Sequence, residues 1–248
     1  MTSRIDMRHQ QAWDAYERGD LRGALRIATA CLRDWKDDGR AWELCGLIHF
    51  AGGNDRESVQ ALERASLLVP LRPSGRVCLG HAYAKIGKVR LATDLLRDLI
   101  ENDSMTVPLL LHIANGLNSL GRPDLAMLAC RKAVSRDDAF APAHYWLGYF
   151  AGKCGQPEHL VEGMIRKAID LAPQVAGYRI ALAGMLERRG AVEQAAQLVR
   201  NLTNSDLESI TCMGCAERLI RLYEHTGDYR RVVVCRQHLL RLEVSESR

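Results

Sequence analysis

The sequence predicts an all-helical array of about seven helix–turn–helix units, and three observations carry that prediction. Glycine recurs in one register: Gly19, Gly53, Gly87, Gly121 and Gly155 advance in steps of 34 residues, Gly190 follows after 35 and Gly227 after 37. A helix ends most easily on a residue of positive φ, which glycine adopts without steric cost, so this register marks the turn inside each unit. Ala, Leu and Arg dominate, and the alternation of β-branched and aromatic residues that marks strands is nearly absent. None of the seven prolines falls inside a predicted helix. Pro73, Pro108 and Pro142 open first helices and Pro123 and Pro157 open second helices, where a missing N–H costs nothing.

The units follow in chain order. Residues 5–38 form the first, with the turn Gly19-Asp20-Leu21 and small contacts from Ala24 and Cys31; its first helix is the most polar, as suits an end with one neighbour. Residues 39–72 carry Trp42, Gly46, Gly53, Ala65 and Pro70 as large, small, turn, small and terminating residues. Residues 73–106 carry Leu79, Gly80, Tyr83, Gly87 and Ala92 at the same places, and residues 107–140 carry Ile113, Ala114, Leu117, Gly121, Ala126 and Ala133. Residues 141–175 carry Leu147, Gly148, Gly155, Ala168 and Pro173, with one extra residue to be absorbed after Gly155. Residues 176–212 carry Leu182, Ala183, Leu186, Gly190 and Ala195; residues 213–246 carry Leu219, Tyr223, Gly227, Tyr229 and Leu239. Asn204 to Ile210 breaks the pattern and predicts a longer loop or an early helix extension.

These residues, at a 34-residue period, resemble the tetratricopeptide repeat over nearly the whole chain. The resemblance implies one domain, residues 1–248, in which the helix pairs stack into a right-handed α-solenoid whose first helices line a concave face. Stacking has a plain cause, since one helix pair cannot bury its apolar side alone.

A hydrophobic content of 47% is ample for such a core. The net charge of +4 is dispersed among acidic residues rather than gathered into a block, which makes it a solubility feature before a nucleic-acid footprint. The eight cysteines are scattered and mostly sit in helical patterns (Cys31, Cys45 and Cys130 among them), which reads as reduced core thiols. The opening MTSRIDMRHQQAW lacks an apolar run after a basic segment, so no signal peptide is expected, and no stretch reaches the ~18 apolar residues of a membrane span. A cytoplasmic protein is the resulting expectation.

Motifs for catalysis are missing. Gly87-Lys88 is followed by Val89 and lacks an upstream glycine, so it is no phosphate loop, and neither HExxH nor GxSxG occurs. No enzyme activity, cofactor or metal is expected. Cys212-Met213-Gly214-Cys215 reads either as half a metal site or redox pair at a helix start, or as two small residues packing the seventh unit on the sixth. With no second CxxC, and only Cys235 or His238 able to approach, packing is the favoured reading. Asn201-Leu202-Thr203 matches a glycosylation acceptor that matters only on secretion. Asp37, Asp38, Asp137 and Asp138 read as loop and cap residues.

Function is expected on the concave face. Counting back from each turn glycine places His9, Trp13 and Tyr16 there, then Glu43, Leu47 and Phe50, then Val77, His81 and Lys85. Leu111, Asn115 and Asn118 follow, then Tyr145, Tyr149 and Lys153, and last Ile180, Glu187 and Arg188. Aromatics flanking amides suit a peptide or helix of another protein, giving a non-catalytic scaffold or adaptor. The alternatives are a regulatory subunit of a separate enzyme and an RNA-binding helical repeat. The places where some family members hold Lys and Asn to clamp a C-terminal carboxylate carry His9, Trp13 and Leu47, which speaks against that ligand. Val233, Val234, Leu240 and Leu242 of the final helix have no solvating helix after them and are expected to leave an apolar interface, a ground for a homo-oligomer.

Overall fold

The computed structural model describes residues 4–246. Among them are fifteen α-helices and no strand. They fall into two compact units, residues 1–136 and 137–248. The first holds α1 (Arg4–Glu17), α2 (Leu21–Asp34), α3 (Gly39–Ala51), α4 (Asp55–Ser66), α5 (Pro73–Lys85), α6 (Val89–Ile100), α7 (Val107–Ser119) and α8 (Pro123–Arg136). The second holds α9 (Ala141–Lys153), α10 (Glu158–Leu171), α11 (Ala176–Arg188), α12 (Val192–Val199), α13 (Asn204–Glu208), α14 (Met213–His225) and α15 (Tyr229–Glu246).

Seven glycines have positive φ, between 69° and 83°, and they are the seven of the register: Gly19, Gly53, Gly87, Gly121, Gly155, Gly190 and Gly227. At each, the N–H of the next residue reaches back five positions, as Asp20 does to the Ala15 carbonyl at 2.9 Å and Asn54 to His49 at 2.8 Å. That bond closes the first helix and turns the chain into the second. The extra residue of the fifth unit lies between Gly155 and α10, as Gln156-Pro157. The irregular join is α13, five residues long, started by a reciprocal cap in which Thr203 and Asp206 each bond the other's backbone.

Within the first unit, first helix packs on first helix (α1 on α3, α3 on α5, α5 on α7), so these helices form one layer and the second helices the other. Small residues set the closeness of the two layers. A Cβ on Gly46 would stand 2.5 Å from Leu62 Cγ, and one on Gly80 would stand 2.5 Å from Leu96 Cδ2. Leu62 and Leu96 are wholly buried in those hollows, each contributing about 1.5–3 kcal/mol of apolar burial. In the second unit Ile165 and Met164 close on Gly148 in the same way, while the space over Gly184 is filled by the Arg218 guanidinium of α14.

Candidate functional site

The inward residues of the first unit largely satisfy one another. Glu43, Leu47 and Val77 are buried at 3% exposure and offer no surface. The Glu43 carboxylate accepts the Arg72 N–H at 2.7 Å; burial pushes its pKa above the usual carboxylate range, against the pull of that bond and of the Arg72 charge. His9 holds the Asp38 carboxylate at 2.6 Å, and Asp38 also caps α3. Trp13 packs edge-on to Tyr16, and the Arg72 guanidinium lies 4.4 Å from the Trp13 ring. Phe50 meets His81 and carries Lys85 over its ring at 4.9 Å. His81 Nε2 is 3.0 Å from the His112 carbonyl, and burial lowers its pKa. Leu111 and Asn118 are half-buried; Lys85 and Asn115 are exposed.

The second unit is different. Tyr145, Gly148, Tyr149, Gly152 and Lys153 share one face of α9, because they recur at three- and four-residue intervals. Opposite stand Val161 and Ile165 of α10 and Ala181, Met185 and Arg188 of α11, and together these enclose a slot of about 380 Å³. Of the two glycines on this face, one makes the opening. A Cβ at Gly148 would meet Ile165 at 3.1 Å and the Val161 carbonyl at 3.3 Å, so that hollow is already filled. One at Gly152 would find only Val161 Cγ1, at 3.9 Å, so there the slot is open.

The floor is apolar and the rim polar, with Gln156, Glu158, Lys153 and Arg188 around it. Tyr145 is wedged against Tyr178 with ring centroids 4.9 Å apart, and burial raises its pKa. Lys153 Nζ lies 4.9 Å from the Tyr149 ring, and Trp146 packs edge-on to Tyr149. Glu187 does not serve the rim: it bonds Arg221 at 2.9 Å and Arg218 at 3.2 Å, and these cations, Arg221 first, hold its carboxyl below the usual range. Its neighbour Arg188 is exposed and makes no ion pair among the described residues. Ile180 is buried.

A larger cavity of about 670 Å³ between α12, α14 and α15 holds Arg231 paired with Asp228 at 2.6 Å and the Tyr223 hydroxyl on the Val199 carbonyl at 2.9 Å, beside Gln197, Arg200 and Asn201. On α15, Val233 and Leu240 are exposed whereas Val234 and Leu242 are half-buried; Tyr229 and Val244 complete the outward stripe instead. Sequence reasoning missed the slot floor, because it looked only at first helices. The available signal was Gly148 and Gly152, two glycines one turn apart inside a helix, where each costs about 1 kcal/mol against alanine.

Among the described residues, no helix is long and apolar enough to cross a membrane. No curated protein matches the sequence. Among solved structures, the chain is similar to MamA at 19% identity and a TM-score of 0.57, covering 70% of this chain and 94% of that one. It is similar to YrrB at 20% identity and a TM-score of 0.53, covering 65% and 83%. It is also similar to the C-terminal part of a repeat protein from Cytophaga hutchinsonii, at 12% identity and a TM-score of 0.66, covering 94% and 95%. At these identities the likeness concerns the fold. Residues 9–74 match a tetratricopeptide-repeat family model, and the same left-handed turn recurs through Gly227.

Proposed function

We propose that this protein is a non-catalytic interaction scaffold whose second unit grips a segment of another protein. The slot between α9, α10 and α11 carries the reading: an apolar floor sized for one aliphatic or aromatic side chain, beneath a rim with an unpaired Arg188. Such a site suits an apolar residue followed or preceded by an acidic one, the side chain entering the slot and the carboxylate meeting the guanidinium. YrrB is a tetratricopeptide-repeat protein with an unusual peptide-binding site, which makes peptides the first ligands to try.

The test is an array of peptides that pair one Leu, Ile or Phe with Asp or Glu at varied spacing, probed with wild type, Gly152→Phe and Arg188→Glu. Binding lost in Gly152→Phe and weakened for acidic peptides in Arg188→Glu is the expected outcome. Equal binding by all three proteins would remove the slot from the reading. Retention of single-stranded RNA that falls with salt would favour the nucleic-acid alternative instead. A regulatory subunit would show itself through a captured partner that is an enzyme.

A second surface supports self-association. Tyr229, Val233, Leu240 and Val244 are 68%, 53%, 62% and 59% exposed along one face of α15. Their spacing of four, seven and four residues reads the same in both directions, so an antiparallel second copy would place like with like about a two-fold axis. Four side chains fall short of the ~800 Å² per partner of a standard interface, so the association is weak. Light scattering over a wide concentration range should show dimer in wild type and monomer in Leu240→Glu; monomer throughout would end this reading.

A further inference from the structure

The Cys212–Cys215 pair is set apart from the other thiols of the chain. Of the eight cysteines, Cys212 alone is exposed. It is the N-cap of α14, with extended backbone (φ −108°, ψ 116°), while Cys215 lies in the first turn with its N–H on the Cys212 carbonyl at 3.0 Å. The two side chains therefore lie on the same side of one turn. The packing reading accounts for half-buried Cys215 but not for Cys212, which is in solvent.

Metal binding does not fit. Cys235 is buried at 1% exposure, and His238 gives its Nε2 to the Ile210 carbonyl at 2.6 Å. Neither can complete a ligand set with the pair, and no group of three metal-binding side chains occurs among the described residues. What remains is chemistry between the two sulfurs.

We infer that Cys212 and Cys215 form a redox modification site that takes a peroxide as its two-electron oxidant and closes to a disulfide. Cys212 sulfur attacks one peroxide oxygen; the O–O bond breaks, the first water leaves with the thiol proton, and Cys212 becomes a sulfenic acid. Cys215 sulfur then attacks the Cys212 sulfur, the S–O bond breaks, and the hydroxyl departs as the second water with the Cys215 proton. Two thiols are oxidised by two electrons and one peroxide is reduced to two waters. Burial, with the neighbouring Cys212, pushes the Cys215 thiol up to about 11 against the opposing pull of the Arg218 charge, so exposed Cys212 is the sulfur that meets the peroxide first. Cys31, Cys45, Cys130 and Cys235 are buried away from solvent, and neither Cys78 nor Cys154 has a second cysteine one turn away, so they do not compete.

The test treats the reduced full chain with stoichiometric hydrogen peroxide, alkylates with iodoacetamide after unfolding, and maps the peptides by mass spectrometry. The expected product has lost two hydrogens, with Cys212 and Cys215 protected together, at least tenfold faster than any other cysteine and reversed by a dithiol. Cys215→Ser should stop at the sulfenic acid, trapped by dimedone on Cys212, and Cys212→Ser should leave Cys215 unoxidised at the same dose. Cys212→Ser supplies a capping hydroxyl to α14, and Cys215→Ser exchanges a half-buried thiol for a hydroxyl of similar size, so both variants should fold, as circular dichroism would show. Over-oxidation of Cys212 with Cys215 still alkylated, a dimer linked through Cys212, or no reaction at either sulfur would each overturn the inference.

Discussion

Gly152 offers a way to close the slot without disturbing the helix that builds it. The residue lies in the last turn of α9, exposed, and a Cβ there meets only Val161 Cγ1 at ordinary contact distance, 3.9 Å. Glycine in a helix interior costs about 0.5–1 kcal/mol relative to alanine. In the last turn roughly half of that is at stake, so Gly152→Ala should stabilise by about 0.5 kcal/mol and raise Tm by about 2 °C. Gly148→Ala makes the same helical gain but drives a methyl into Ile165, Met164 and the Val161 carbonyl at 3.1–3.3 Å. Overpacking costs about 1–3 kcal/mol, so that variant should be about 0.5–2.5 kcal/mol less stable than wild type. Gly152→Phe should keep wild-type stability within about 0.5 kcal/mol, since phenylalanine loses part of the alanine gain and its ring fills an open slot. A ligand side chain displaced from that slot forfeits about 1.5–3 kcal/mol, a loss of at least about tenfold in affinity. Urea unfolding followed by circular dichroism reads the first three effects, and fluorescence anisotropy with an array-selected peptide reads the last. A Gly152→Phe protein destabilised by more than about 2 kcal/mol would show that the slot is not open there. One of normal stability and undiminished affinity would show that the slot is not the site.

Two further expectations concern stability. Gly53 has φ of +75°, and a Cβ placed on it would find nothing within 4 Å, so Gly53→Ala should lose about 1–2 kcal/mol from backbone strain alone, and Gly53→Asn less; equal losses in a urea titration would contradict the strain account. For Glu43, a carboxyl whose folded pKa is raised above the ordinary 4.5 binds more protons folded than unfolded, so stability falls as pH rises from 4.5 through the raised value. The side-chain amide of a Glu43→Gln protein still accepts the Arg72 N–H but does not titrate, so its Tm advantage over wild type should be larger at pH 7 than at pH 4; a constant or opposite difference would refute the assignment.

The turns were legible because glycine at positive φ is a local demand that one residue answers and no neighbour can supply. Seven such demands in one register identified the helix pairs. Side-chain placement was harder, because it depends on partners far along the chain. Glu43 reads as an inward polar residue until its carboxylate is seen to cap the Arg72 N–H, 29 positions away. The final helix reads as exposing Val233, Val234, Leu240 and Leu242, yet the helix running to Glu246 keeps Val233 and Leu240, drops Val234 and Leu242, and adds Tyr229 and Val244 to one stripe. Gly152 carried only a partial signal: a second glycine one turn after Gly148 costs helix stability, but that it opens space shows only once the facing side chains are known.

The two units use the same residue types to opposite ends. In the first, the cations are spent on the unit's own inner face: Arg72 covers Trp13, and Lys85 covers Phe50 while also reaching Asp55 at 3.3 Å. Such contacts favour order within the array, each worth about 0.5–2 kcal/mol according to how far it is desolvated, and any ligand seeking those rings must first displace them. In the second, Lys153 still lies over Tyr149, but Glu187 draws Arg218 and Arg221 to itself and leaves Arg188 at the slot with its charge unmet. A ligand carboxylate arriving there displaces nothing but water. Binding at the second unit therefore starts from a lower cost, and this difference, rather than the number of aromatic rings, is the reason to place the grip between α9, α10 and α11.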